Sequence, residues 1–135
     1  MALSNRVNIR GGGGGSSAFP WDVKSEGGWD RTSVSVASGT EEWCYSSILS
    51  PKIESGCNLQ YSITPSNTTL KFYLMVSTDN GSTWTTVAYY DNGGAYSGVV
   101  SLSNYADNYL KFRIRCINYG SATITASINT LNIIK

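Results

Sequence analysis

The residues best suited to chemistry in this sequence lie in one octet, Ser-Thr-Asp-Asn-Gly-Ser-Thr-Trp, at positions 77–84. Its carboxylate, Asp79, is flanked by the hydroxyl groups of Ser77 and Thr83. A carboxylate can act as a nucleophile or general acid in glycoside hydrolysis, but that reaction needs a second carboxylate or another nucleophile nearby. The octet alone does not supply this partner, so it either belongs to a larger site or serves to fold the chain.

The same octet carries the residues of a tight turn. The Asn-Gly pair at 80–81 tolerates the positive φ angles of a type I′ turn and lies between two strand-like runs. We expect the Asp79 carboxylate to accept hydrogen bonds from backbone N–H groups of the turn. We also expect Trp84 to pack beneath it. The positions predicted to have this structural role are Ser77, Asp79, Gly81, Thr83 and Trp84.

Other catalytic groups are scarce. The chain contains no histidine, which removes triads with a histidine base and zinc sites built on imidazole. Cys44, Cys57 and Cys116 match no zinc-ligand spacing and are predicted to be reduced, with Cys116 on an apolar strand face. The nine acidic residues fall mostly in loops, so a catalytic carboxylate pair stays an open alternative. Because no nucleophile, base and orienting group can be assembled, we predict a non-enzymatic protein with no metal and no cofactor.

Composition indicates one all-β domain. The chain has 135 residues, of which 41% are apolar and 14% are charged. This length is too short for a propeller of about four or more blades. Gly, Ser, Thr, Asn and Tyr are abundant, which is typical of strands joined by polar turns. The net charge of +1 provides no basic field for nucleic acid.

Eight strands with turns between them predict an antiparallel β-sandwich of the jelly-roll type, with an extended Gly-rich N-terminal arm. The arm is predicted over residues 1–24 and the sandwich over residues 25–135. The strands are predicted at 33–37, 42–49, 58–63, 70–77, 83–90, 98–102, 109–118 and 123–134.

Two of these strands alternate clearly between apolar and polar residues. In 70–77, every second side chain from Leu70 is apolar, and in 109–118 the same holds from Leu110 to Cys116. The opposite face of the second strand carries Lys111, Arg113 and Arg115. We interpret this basic row as a solvated face, with an acidic partner surface as the alternative.

The octet resembles the Asp-box hairpin of sialidases and of many unrelated β-proteins, where it is structural. It belongs to a longer resemblance, covering residues 27–135, to jelly-roll modules of the meprin-type adhesion and cleaved-adhesin group. The matching segments, in order, are "EGGWDRTSVSV", "EEWCYSSILSPKIE", "LKFYLMVSTDNGSTWTTV", "GVVSLSNYADNYLKFRIRC" and "ASINTLNIIK". The resemblance implies a non-catalytic module for adhesion, carbohydrate contact or assembly. Many relatives have an acid where this chain has Asn129, and some hold calcium through it, so calcium binding is not expected here.

We therefore predict a structural or assembly protein, most simply a bacteriophage virion component of the capsid-decoration or head-fibre type. The N-terminal segment "MALSNRVNIR" lacks the apolar run of a signal peptide and no membrane span is expected, so we predict assembly in a host cytoplasm and location in the virion. The predicted partners are capsid or tail proteins, or further copies of the chain, bound through the N-terminal arm. The predicted arm contacts and hinge are Arg6, Val7, Ile9, Arg10, Gly11 and Gly15.

Two alternatives stay open. The first is a carbohydrate-binding module or adhesin for surface glycans, in which Tyr89, Tyr90 and Tyr96 form a stacking platform around a loop. The second is a domain of a larger extracellular enzyme, which the Met-Ala start and the missing signal argue against.

Overall fold

The structure is a computed structural model that describes residues 18–91 and 96–135. Within these ranges the chain forms nine strands and one short 3-10 helix, at Ser103–Tyr105. The strands are β1 Trp21–Asp22, β2 Ser33–Val36, β3 Glu41–Tyr45, β4 Asn58–Pro65, β5 Leu70–Ser77, β6 Thr85–Tyr90, β7 Ser97–Ser101, β8 Lys111–Asn118 and β9 Ile124–Ile134.

The strands form two antiparallel sheets that pack face to face. One sheet has the order β1-β9-β4-β7, with β2 also pairing with β9, and the other has the order β3-β8-β5-β6. The prediction of an all-β antiparallel sandwich is confirmed. Each of the eight predicted strands has a counterpart, and β5 has the predicted bounds.

The core lies between the two sheets and follows the predicted alternation. In β5 the inward side chains from Leu70 to Val76 are buried, and in β8 Phe112, Ile114 and Cys116 are fully buried. Apolar burial of this kind is the main stabilising contribution to a sandwich of this size. All three cysteines are buried free thiols, as predicted.

The sandwich begins earlier in the chain than residue 25. Residues 21–22 form β1, which pairs with β9, and Phe19, Trp21 and Val23 are buried in the core. The predicted boundary followed the glycine-rich composition of the preceding residues, whereas the apolar alternation at positions 19, 21 and 23 marks a short edge strand. The six residues predicted as arm contacts and hinge lie outside the described residues.

β3 ends four residues before the predicted position 49, because two serine hydroxyls take the place of its backbone carbonyls as hydrogen-bond acceptors. The Ser46 hydroxyl accepts a hydrogen bond from the backbone N–H of Phe112 at 2.8 Å, while its own N–H donates to the Phe112 carbonyl. Ser50 makes the same pair of bonds with Leu110. The segment therefore stays beside β8 with its partners satisfied but without regular strand pairing.

Candidate binding face

The octet forms a closed hairpin turn in which Asp79 is the central acceptor. Asn80 and Gly81 have φ angles of 60° and 95°, which agrees with the positive φ expected at both positions. The Asp79 carboxylate accepts hydrogen bonds from the Thr83 backbone N–H at 2.8 Å and from the Ser77 hydroxyl at 2.7 Å. The Thr83 hydroxyl also donates to it. These contacts use both carboxylate oxygens for folding the turn.

These hydrogen bonds lower the pKa of Asp79 to about 2, with the bond from the Thr83 hydroxyl as the largest cause. A depressed carboxyl pKa contributes stability above the pKa of the unfolded state, and this contribution is lost as the pH falls through the folded pKa. We expect Asp79→Asn to lower the melting temperature at pH 6. The difference from the wild type should shrink between about pH 4 and pH 2. Melting curves across this range check the prediction, and a pH-independent difference would contradict it.

The side chain of Lys24 places a positive charge beside Asn129. The Lys24 ammonium group donates a hydrogen bond to the backbone carbonyl of Asn129 at 2.5 Å, and the Asn129 side-chain amide donates to the Thr64 hydroxyl. A nearby ammonium charge opposes the binding of Ca²⁺, and an amide is a weaker ligand than a carboxylate for this hard cation.

We therefore expect the melting temperature to be the same in calcium and in excess chelator. Binding of calcium to the folded state alone would raise the stability with calcium concentration. Thermal melts at several calcium concentrations measure this, with Asn129→Asp as the matched variant that restores the acidic side chain. A drop of several degrees on adding chelator to the wild type would show that a calcium site exists.

The three tyrosines predicted as a sugar platform do not share one surface. Tyr90 and Tyr96 stack on each other with ring centroids 3.9 Å apart, pack against the core, and are only partly exposed. The Tyr96 hydroxyl donates to the Leu70 carbonyl at 2.7 Å. Tyr89 instead is 61% exposed on the opposite side of β6, where it stacks with Tyr73. The platform of three rings is thus not formed, because adjacent strand residues point to opposite faces.

A different set of aromatic residues comes together on the outer face of the β3-β8-β5-β6 sheet. The register places Trp43 and Tyr73 on either side of Arg115, with Tyr89 beyond Tyr73. The next row contains Tyr45 beside Arg113. We call this surface the aromatic–arginine face, and its members are Trp43, Tyr45, Tyr73, Trp84, Tyr89, Arg113 and Arg115.

Arg113 lies at the centre of this face between two tryptophans. Its guanidinium carbon is 4.4 Å from the centroid of the Trp43 ring and 4.6 Å from that of the Trp84 ring. Partial burial lowers the pKa of Arg113 from its usual value. Tyr45 completes the cluster by stacking on Trp43 and meeting Trp84 edge-on. Trp84 therefore packs against the outer face of this sheet and also lies close to Gly81 of the turn.

Acidic side chains flank this face and pair with two cations on this side of the sheet. Arg115 forms an ion pair with Glu41, and Lys71 forms one with Asp91 at 2.8 Å. Arg113 forms no ion pair with any residue in the described ranges. The basic row is thus not a uniformly solvated face, as the sequence had suggested, because its middle residue is held by aromatic rings.

Sequence reasoning missed this face because it grouped residues within strands. The alternation Trp43-x-Tyr45 and Arg113-x-Arg115 is visible in the sequence and puts each pair on one side of its strand. Only the pairing of β3 with β8 brings the two pairs into contact.

The structure offers few groups with catalytic character outside the turn. Burial raises the pKa of the Cys44 thiol to about 11 and that of Cys116 to about 12, so both thiols are protonated at neutral pH. Within residues 18–91 and 96–135, no three Cys, Asp or Glu side chains are grouped so that they could hold a metal ion. In the same ranges, no helix is long and apolar enough to cross a membrane.

The chain matches no protein-family model, and no curated protein matches its sequence. The resemblance to meprin-type adhesion modules stays a prediction.

Proposed function

We propose that this chain is a non-enzymatic structural module that attaches to another protein chain, and that the aromatic–arginine face is the surface it uses. The observation that carries this proposal is the concentration of Trp, Tyr and Arg side chains on one sheet face. These residue types dominate the binding energy of protein interfaces. Tyr45 and Tyr89 are 40% and 61% exposed, so the edges of the face are open to a partner.

More specifically, we propose that the chain is a bacteriophage virion component, such as a capsid-decoration or head-fibre protein. Residues 1–15 would provide a second attachment to a capsid or tail protein, or to another copy of the chain. The alternation of polar and apolar residues in "RVNIR" supports this role, because a segment with this pattern can add a strand to an exposed sheet edge.

The double variant Tyr45→Ser, Tyr89→Ser tests the proposed face. Both side chains are exposed, so the fold should be retained, while attachment to the assembled particle or to a second copy should weaken by at least about tenfold. Val99→Ser is the matched control, because Val99 is 58% exposed on the other sheet. Incorporation of purified protein into particles, or sedimentation equilibrium for self-association, measures the effect. Equal attachment by the double variant and the control would overturn the proposal.

Deletion of residues 1–15 separately tests the arm. We expect a near-native circular dichroism spectrum, because all described strands lie outside the deleted segment. We also expect loss of incorporation, because the deletion removes the proposed second attachment. Incorporation equal to that of the full chain would show that the arm is not an attachment element.

A carbohydrate-binding module is the second candidate, and the open ring of Tyr89 favours it. Tyr89 stacks on Tyr73 with centroids 6.1 Å apart and is the most accessible ring of the face. An aromatic ring with one open side can stack on the apolar face of a sugar. Loss of glycan binding by Tyr89→Ser, with protein attachment unchanged, would place this function first.

A further inference from the structure

The guanidinium group of Arg113 lies over the rings of two tryptophans. Trp43 and Trp84 lie within 4.4 Å and 4.6 Å of it, measured to the ring centroids. The Arg113 Nε–H group points to the Met75 sulfur at 3.1 Å, which is a weak acceptor. Tyr45 and the like-charged Arg115 are the other polar neighbours that act on its charge. The described residues thus give this arginine no carboxylate partner.

This arrangement leaves a partly buried charge without its usual compensation. Desolvation is the largest influence on the pKa of Arg113 and acts to lower it. Each of the four ion pairs in the described ranges uses another cation, namely Arg31, Lys71, Arg115 or Lys135. A planar guanidinium whose rotation is restricted by two rings is well prepared for two parallel hydrogen bonds to one carboxylate.

The surroundings favour a single carboxylate over an extended polyanion. Glu41 and Asp91 lie at the borders of the face and would repel the successive phosphates of a nucleic acid. Stacking of a base or sugar on tryptophan also requires a free ring face. The Arg113 guanidinium already lies over the Trp43 ring. The Tyr45 ring stacks beside the Trp43 ring, with the two centroids 6.4 Å apart.

We infer that Arg113 is the anchor for an aspartate or glutamate side chain of an acidic partner polypeptide. This inference rests on the proposed function and adds the chemistry of the partner. The neighbouring aromatic rings exclude water around the resulting ion pair, which strengthens it.

The test follows individual side chains by NMR, because an isolated carboxylate peptide binds weakly. The probe is a blocked peptide containing Asp and Glu, and the matched probe is the same peptide with Asn and Gln. We expect the acidic peptide to shift the Arg113 Nε–H signal and the indole N–H signals of Trp43 and Trp84 in a saturable way. The amide peptide should leave all three unchanged.

Three variants make the test specific. Arg113→Gln should weaken acidic-peptide binding at the tryptophans by at least about tenfold. Arg113→Lys keeps the charge but loses the planar fork, so it should also weaken binding clearly. Lys52→Gln removes one positive charge at an exposed position and should leave binding within about twofold of the wild type. Equal weakening by Arg113→Gln and Lys52→Gln, or an unmoved Arg113 signal, would overturn the inference.

Two further arms separate the possible sources of the anion. Glucuronate or inorganic phosphate that moves the same signals at lower concentration than the acidic peptide would overturn the polypeptide assignment. Particle attachment distinguishes this inference from the proposed function. If Arg113→Gln attaches normally while the Tyr45, Tyr89 variant does not, the face is used but the carboxylate anchor is wrong. If both attach normally, the proposed function fails.

Discussion

Replacing Asn118 with aspartate should lower the free energy of unfolding at neutral pH by about 3–5 kcal/mol. Asn118 is completely buried at the end of β8. Its side-chain amide donates hydrogen bonds to the carbonyls of Val36 and Ala122, both at 2.8 Å, and its oxygen accepts one from the Gly120 N–H at 2.7 Å. A carboxylate has no proton for either carbonyl, so the variant would bury a charge against two oxygen acceptors.

The pH dependence identifies this cause. A buried carboxyl beside two carbonyls should have a raised pKa, so it stays protonated in the folded state. The penalty is therefore smallest at low pH, where the single carboxyl O–H can still donate to one of the two carbonyls, and it grows as the pH rises above about 4, the pKa of the unfolded chain. Denaturant unfolding at several pH values measures it, with Asn104→Asp as the control at an exposed position. A loss at Asn118 that matches the control, or that is largest in acid, would contradict the prediction.

Replacing Phe72 with alanine should lower the free energy of unfolding by about 3–5 kcal/mol. Phe72 is fully buried in β5. The centroid of its ring lies 6.0 Å from the ring centroid of Tyr61 and 6.0 Å from that of Tyr96. Truncation removes apolar contact on both sides and leaves a cavity that neighbouring strands cannot fill without distorting their pairing. The stacked ring of Tyr96 loses support at the same time.

A graded series separates cavity formation from loss of any aromatic side chain. Phe72→Leu keeps much of the apolar volume and should cost clearly less than the alanine variant. Tyr109→Ala removes a ring that is 51% exposed and should change the free energy of unfolding by no more than about 0.5 kcal/mol. Urea unfolding of the three variants provides the comparison. Equal losses for Phe72→Ala and Tyr109→Ala would contradict the central position of Phe72 in the core.

Much of the fold was predictable from local patterns. β5 has its predicted bounds because its apolar and polar residues alternate without interruption. The turn after it was also predictable, since Asn80 and Gly81 are suited to positive φ and Asp79 can accept the nearby hydrogen bonds. These features depend on residues within a few positions of one another.

Other features were misjudged because composition was given more weight than pairing. Trp21 follows a glycine-rich stretch within a few residues of the sequence, yet it pairs with Ile133 and belongs to the sandwich. Similarly, β3 ends at Tyr45 because Ser46 supplies a side-chain acceptor to Phe112. A hydroxyl that replaces a backbone acceptor across a sheet leaves no periodic signal in its own segment.

The amino-acid sequence by itself determined the all-β class, the hairpin turn and which side chains of β5 and β8 point inward, since these follow from alternation and turn chemistry. It did not determine which strands become neighbours. The tertiary structure decided that Trp43 lies beside Arg115 and Arg113, and that Tyr96 stacks on Tyr90 against the core. Strand order depends on how two whole sheets bury their apolar faces together, which is a property of distant segments and not of any local pattern.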